Sequence, residues 1–423
     1  MKEDFLHYIW QFQKFDKQAL FSENEEEVSI LKAGFQNADS GPDFKEARVR
    51  IDEVEWAGSV EIHLKSSDWL KHKHQNDNAY ENVILHVVWE YDVEITHKDG
   101  RAIPTLSLAS ITNAALISQY ELLMTAKDEI PCQQHFKDVS GIKKFSMMEK
   151  ALVQRMERKG TEVSDILTGM GNDWDEVTYQ ILLRNFGFKL NNDAFLRLAT
   201  DLPFKILKKY NNSTFQIEAL LFGMAGLLVS DLDTYGDKLA AEFKYLAKKH
   251  GLEEKIMAAS EWKFMRTRPA NFPTVRLSQI AALLSQSKNL FALLVETSDY
   301  ISLTNFFKAK PSEYWQSHYH FGKESARKFK GIGDNSVQNL IINTAVPVLV
   351  AYGKYVDSPS FVEKAMRFLE EIPSEKNRIT KFWNSEGLET KTMFDSQGSI
   401  ELYNEFCQKR QCLSCGVGVA ILK

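Results

Sequence analysis

Pro42-Asp43 is followed, after seventeen intervening residues, by Glu61-x-His63-x-Lys65. Alternate side chains on a strand point to opposite faces, so Glu61, His63 and Lys65 share one face and Val60, Ile62 and Leu64 the other. If this strand pairs as a hairpin with the one beginning near Ala47, turning near Glu53–Trp56, Asp43 comes to lie beside Glu61. Two converging carboxylates suit Mg²⁺ or Mn²⁺, with water and phosphate oxygens completing the shell. A cation held there polarises a phosphodiester and activates water, with His63 or Lys65 positioning that water. The plain alternative is an antiparallel sheet with one wet face, on which Glu61 and His63 are merely solvated.

Six of the ten histidines precede residue 100, and His63, His72, His74 and His86 are interleaved with Asp68 and Asp77. His72-x-His74 with Asp77 offers imidazole and carboxylate ligands of the kind zinc or manganese takes, and with His63 this would make a zinc hydrolase site. His86 falls inside the apolar run ILHVVWE, where an unpaired polar group is costly, so it needs a partner. The competing reading makes His86 a hydrogen-bonded core residue and puts His72 and His74 on a wet, Lys-rich turn.

The chain has four cysteines: Cys132, and Cys407, Cys412 and Cys415 within the last 17 residues. Four thiols are what a tetrahedral Zn²⁺ site or an iron–sulfur cluster requires, and a split set would staple the C-terminus to the region near residue 132. Reduced cysteines of no special role are the alternative. In FMRTRPANFPTVR, Arg266, Arg268 and Arg276 surround Phe272, and HYHFGKESARKFKGIG interleaves bases with aromatics. Both stretches offer phosphate and base-stacking contacts to a nucleic acid, although arginines in turns also cap helices and pair with acids. No Walker loop, Rossmann fingerprint or Ser-His-Asp motif is present.

These residues must be positioned by the elements around them. Residues 3–15 place Phe5, Ile9 and Phe12 at helical spacing, and SENEEE (22–27) is a solvated turn. From Val28 the period moves towards two, giving strands in VSILKAGF, ARVRID and SVEIHLK. After a short helix or structured loop, NVILHVVWEYDVEI predicts a central strand covered on both faces, and Ala102–Leu108 a last strand after a turn at Lys98-Asp99-Gly100. Beyond about residue 112 the pattern is helical, with INTAVPVLVAYG (342–353) ambiguous and FQIEALLFGMAGLLVS a buried helix. The expected architecture is α+β: an α/β domain over 1–115 and a large all-α domain over 116–423 ending in the Cys-rich segment.

With 423 residues, 44% of them hydrophobic, the chain can bury more than one core. A net charge of −5 excludes a uniformly basic nucleic-acid coat but not a local basic groove. No uncharged apolar stretch approaches ~18 residues and the N-terminus lacks signal-peptide features, so a cytoplasmic protein without membrane association is expected. Oligomeric state is not legible.

The order helix, three strands, helix, strand, with Pro42-Asp43 and Glu61-x-His63, resembles the core of the PD-(D/E)xK nuclease superfamily over about residues 3–92. The resemblance implies a restriction-endonuclease-like core in which Asp43 and Glu61 bind the metal and His63 stands where that family has lysine. The cysteine spacing resembles the split iron–sulfur arrangement of some RecB-like nucleases, although there the lone cysteine precedes the nuclease core and here it follows. GPDF, GSVEIHLKSSDWLKHKH, AYENVILHVVWE, IEALLFGMAGLL, RPANFPTVR and CLSC are similar to recurring blocks of a bacterial family of unknown function, which implies no activity. The expectation is a metal-dependent phosphodiesterase acting on nucleic acid, with a zinc hydrolase or a non-catalytic binding scaffold as alternatives.

Overall fold

The computed structural model describes residues 1–422 apart from 38, 230, 266, 327 and 330. The chain divides into two compact units, the first being Met1–Met147 with Ser385–Leu388 and Leu402–Lys423, the second Met148–Asn384 with Glu389–Glu401. The segment bearing Cys407, Cys412 and Cys415 thus belongs to the N-terminal unit.

That unit opens with helix α1 (Glu3–Gln11), whose acidic first turn suits the positive end of the helix dipole. Its Phe5, Leu6, Ile9 and Trp10 are fully buried, and the helix packs on the sheet. The strands are β1 (Val28–Lys32), β2 (Phe35–Gln36), β3 (Phe44–Ile51), β4 (Val54–Lys65), β5 (Val83–Glu90) and β6 (Thr105–Ser107). They form a mixed sheet in the order β1-β3-β4-β5-β6, with β2 also on β3. β1, β3 and β4 run antiparallel, whereas β5 is parallel to β4 and β6 to β5.

The β3–β4 turn is tighter than the alternation suggests. Ile51 pairs with Val54, and Asp52 adopts a left-handed φ of 51°, which a short polar side chain tolerates. Val54–Trp56 therefore extend β4 instead of forming the turn. Two irregularities flank the centre of the sheet: β3 bulges between Phe44 and Ala47, and the β4–β5 register slips between Ser59 and Val60. Bulges of this kind re-aim side chains. Gly58 sits at the second, where a Cβ would lie 2.4 Å from the Asn82 carbonyl oxygen and 2.5 Å from Ile84 Cγ2. β5 is internal, with Val83, Leu85, His86, Val87 and Val88 all buried. The β4–β5 crossover holds α2 (Asp68–Lys71) and two 3-10 turns, His74–Asn76 and Asn78–Tyr80. Beyond the sheet come α3 (Ala114–Thr125), α4 (Gln133–Phe136) and the start of α5 (Gly141–Gly169).

The second unit is helical except for one small hairpin, His318–His320 with Lys323–Glu324, among the described residues. The helices Thr214–Met224 and Pro273–Leu284 pack against each other, and the latter is buried all round. The ambiguous apolar run is helical, with a π-turn at Ile341–Ala345 leading into Val346–Tyr355. Pro347 has no N–H for the i−4 carbonyl, which accounts for the widened turn before it. Asp334–Tyr355 is long and apolar enough to cross a bilayer, and 72% of its apolar window is buried within the protein.

Candidate metal centre

The hairpin brings Asp43 and Glu61 together through the backbone. The Asp43 amide donates to Glu61 Oε2 at 3.1 Å, and the Ile62 amide donates to Asp43 Oδ2 at 3.0 Å. Parallel pairing sets His86 of β5 opposite Glu61 of β4. His86 Nε2 meets His63 Nδ1 at 2.8 Å, so the buried His86 has the partner its position demands. The crossover supplies the rest: His72, just past α2, places Nδ1 3.1 Å from His63 Nε2, and His74 places Nε2 3.3 Å from Glu61 Oε1. Glu61 Oε1 is 3.6 Å from His63 Nε2. Tyr80 stacks on the His74 ring at 3.8 Å between centroids, and Trp69 abuts both His74 and His86 edge-on.

Helix α1 closes the cluster. Glu3 and His7, four residues apart, lie on one helical face, and His7 Nε2 is 3.3 Å from Asp43 Oδ2. Glu3 feels the charges of both Asp43 and His7. Neither Glu3 nor His7 is singled out by the sequence reading. Their i,i+4 spacing is the available signal, but the apolar pattern does not say what the polar flank of α1 will meet.

Burial governs the protonation states. It pushes Glu61 up to about 9, with the neighbouring Asp43 carboxylate adding to the effect. It pulls His63 and His86 down to about 3, helped by the nearby imidazoles. His74 is lowered by burial and then by His72. Burial also disfavours charge on His7, but Asp43 more than offsets this and raises it. Burial and then Glu61 push Tyr80 up to about 12.

The donor set fits a transition-metal ion. Ligating atoms of His63, His72 and His74 all lie within 4.8 Å of one another. Donors on one tetrahedral zinc, at about 2.0–2.1 Å from it, are about 3.3 Å apart, which is the scale of the distances above. The buried His74 Nε2 makes no hydrogen bond although Glu61 Oε1 is 3.3 Å away. If the His63 Nδ1–H donates to His86, its Nε2 lone pair faces His72 Nδ1, open either to a proton from His72 or to a cation. Neutral imidazoles are already in the ligating form, and positive charge would hold Glu61 deprotonated.

The other residues singled out from the sequence are placed differently. Lys65 is exposed and its Nζ donates to Glu90 Oε1 at 2.9 Å, at the end of β4 and away from this hydrogen-bonded group. Asp77 caps the turn Asn78–Tyr80, accepting from the Ala79 amide at 2.9 Å, and is outside the ligating trio. Arg276 is buried rather than offered to solvent: it donates to Gln279, Asn271 and Ser336, and its guanidinium lies over Phe188 at 4.4 Å. Its helix is buried on every side, so its partners are internal ones. Arg268 is exposed, and Arg266 lies outside the described residues. Cys132, Cys407, Cys412 and Cys415 are all buried in the N-terminal unit.

A family model described as a protein of unknown function, DUF2851, matches residues 3–378, and the chain belongs to that family. No curated protein and no solved structure matches it.

Proposed function

We propose that this member of the DUF2851 family is a metal-dependent phosphodiesterase acting on nucleic acid, with its metal held by Glu61, His63, His72 and His74 beside Asp43. The observation that carries the reading is the gathering of three imidazole nitrogens within 4.8 Å of one another, with the buried Glu61 Oε1 3.6 Å from His63 Nε2 and 3.3 Å from His74 Nε2. Two features support a phosphodiester substrate: the helix, strand and hairpin order around the Asp43–Glu61 pair, and a cleft of about 360 Å³ reaching His7 that is lined by Lys2, Lys409 and Arg410. Cations lining a cleft attract a polyanion.

When bound, the metal supplies Lewis acidity towards a phosphoryl oxygen and lowers the pKa of water. The residues do the remainder. His86 fixes the His63 ring through Nδ1, as outer partners of metal-ligating histidines do. Asp43, acceptor to the Ile62 amide, is held with its second oxygen available to orient a water. Burial disfavours charge on His7 but Asp43 more than offsets it, and His7 is the group placed to give a proton to the leaving oxygen. The imidazole-rich set favours Mn²⁺ or Zn²⁺ over Mg²⁺, which takes oxygen ligands.

The test is cleavage of labelled single- and double-stranded DNA and RNA, and of an aryl phosphodiester, by chelator-stripped protein resupplied with Mn²⁺, Zn²⁺ or Mg²⁺. Glu61→Ala and Asp43→Ala should abolish metal-dependent turnover with the circular dichroism spectrum preserved. Metal binding without turnover of any phosphodiester would leave the zinc-hydrolase reading, which the three histidines favour equally. No binding and no turnover would leave the scaffold reading.

A further inference from the structure

Independently of that site, we propose that Cys132, Cys407, Cys412 and Cys415 hold an iron–sulfur cluster that ties the C-terminal segment into the N-terminal unit. Only 7–9% of each cysteine is exposed. They converge from three places: the residue preceding α4, the end of the π-turn Leu402–Cys407, and the turn Cys412–Ser414 with the residue after it. All six thiol pairs lie within electrostatic reach of one another. Yet among the described residues no three thiols lie within 4.8 Å of each other, as the three histidines do. Sulfurs on one tetrahedral zinc, at about 2.3 Å from it, are about 3.8 Å apart. Thiols that do not gather at single-ion spacing suit a polynuclear cluster better than one zinc.

The backbone around the tetrad is fixed before any metal is considered. Arg410 donates to the Leu123, Met124 and Ala126 carbonyls at 3.1, 2.8 and 2.6 Å. Gln408 Nε2 reaches the Glu129 carbonyl, and Tyr403 Oη the Glu129 carboxylate, each at 3.1 Å. Gly418 lets the last helix press on the cysteine turn: a Cβ there would sit 2.2 Å from the Cys412 carbonyl oxygen. Arg410 also places a cation beside Cys412, which suits a cluster of net negative charge. The Cys412–Ser414 turn packs on α1, and Tyr8 of α1 donates to the Leu422 carbonyl at 3.2 Å. The tetrad is therefore placed to hold the helix that carries Glu3 and His7.

The full chain, produced with iron and sulfide and purified without oxygen, should be brown and contain iron and acid-labile sulfide in equal amounts. Both should be lost in Cys132→Ser and in Cys412→Ser, and retained in His72→Ala, a variant that disables the other site only. Mössbauer spectra of the wild-type protein decide the cluster type even if the cysteine variants fold poorly. Hydrogen exchange should show segments 123–132 and 402–422 loosening together when the cluster is removed from wild-type protein. One zinc per chain that is lost with Cys412→Ser, or a chain that binds no iron after anaerobic reconstitution, overturns the proposal. Neither result depends on nucleic-acid cleavage, so failure here and failure of the phosphodiesterase reading are separable.

Discussion

Asp43 and Glu61 are bound crosswise: the amide of one donates to the carboxylate of the other, while the first carboxylate takes the amide of the residue following the second. Two acids are thus fixed side by side at the edge of a hairpin, one of them buried. Ionising both is electrostatically unfavourable, so Glu61 keeps its proton until a cation arrives.

Glu61→Gln should stabilise the metal-free protein and remove the stabilisation that added metal gives the wild type. The folded pKa of Glu61, about 9, exceeds its ordinary value of 4.5, so the folded state binds the extra proton between those limits. Its contribution is fully present below pH 4.5 and is lost as pH rises towards 9. Metal-free wild type should therefore lose on the order of a few kcal/mol across that window relative to Glu61→Gln, read by denaturant unfolding. Added metal should stabilise the wild type alone, and metal affinity should climb with pH as Glu61 gives up its proton.

His63 and His86 act in the opposite sense. Their folded values, about 3, lie below the ordinary 6.5, so the unfolded chain binds more protons between the two. Their contribution grows as pH rises from about 3 to 6.5 and is lost on acidification. His86→Phe, which keeps the volume but frees the His63 ring, should lower metal affinity about 10–100-fold with little change in fold, measured by competition with a chelator.

Lys65→Ala should leave metal content and turnover unchanged, because its ammonium is committed to Glu90 in solvent. His63→Ala should abolish both. Equal loss from the two variants would return the lysine to the site.

Gly58→Ala should destabilise the N-terminal unit by about 1–3 kcal/mol, since the added methyl meets a backbone carbonyl that cannot step aside. The same change should lower metal affinity, because it displaces the start of β5 and with it His86. A thermal shift with unaltered metal binding would show that the two strands are uncoupled.

Arg276→Ala should cost about 1–3 kcal/mol by stranding Asn271 and Gln279, with no change in the salt dependence of nucleic-acid binding. Arg268→Ala, on an exposed position, should do the reverse.

Much of this was legible in the residues. Alternation over 47–51 and 60–64 fixes which side chains share a face, and a hairpin of the two strands is then what brings Asp43 towards Glu61. The apolar density of 83–88 likewise marks an internal strand. What periodicity does not carry is the meeting of elements. Which flank of α1 lies over the carboxylates depends on packing against β4, so Glu3 and His7 stay silent in the sequence. Asp77 and His74 look equivalent as ligands, yet a cap geometry of two residues claims Asp77 and leaves His74 pointing inward. Arg276 reads as a surface base because nothing local shows that its helix is enclosed on every side. The membership of 402–422 in the N-terminal unit is a long-range fact of the same kind.

The most direct test of the central claim is electron paramagnetic resonance of Mn²⁺ bound to chelator-stripped protein, since manganese avoids thiolate sites and reports nitrogen ligands through hyperfine coupling. About one bound ion per chain is expected, with histidine nitrogen couplings that diminish in His74→Ala and binding abolished in Glu61→Gln. An unchanged spectrum in both variants, or no bound ion in the wild-type protein, would contradict the claim.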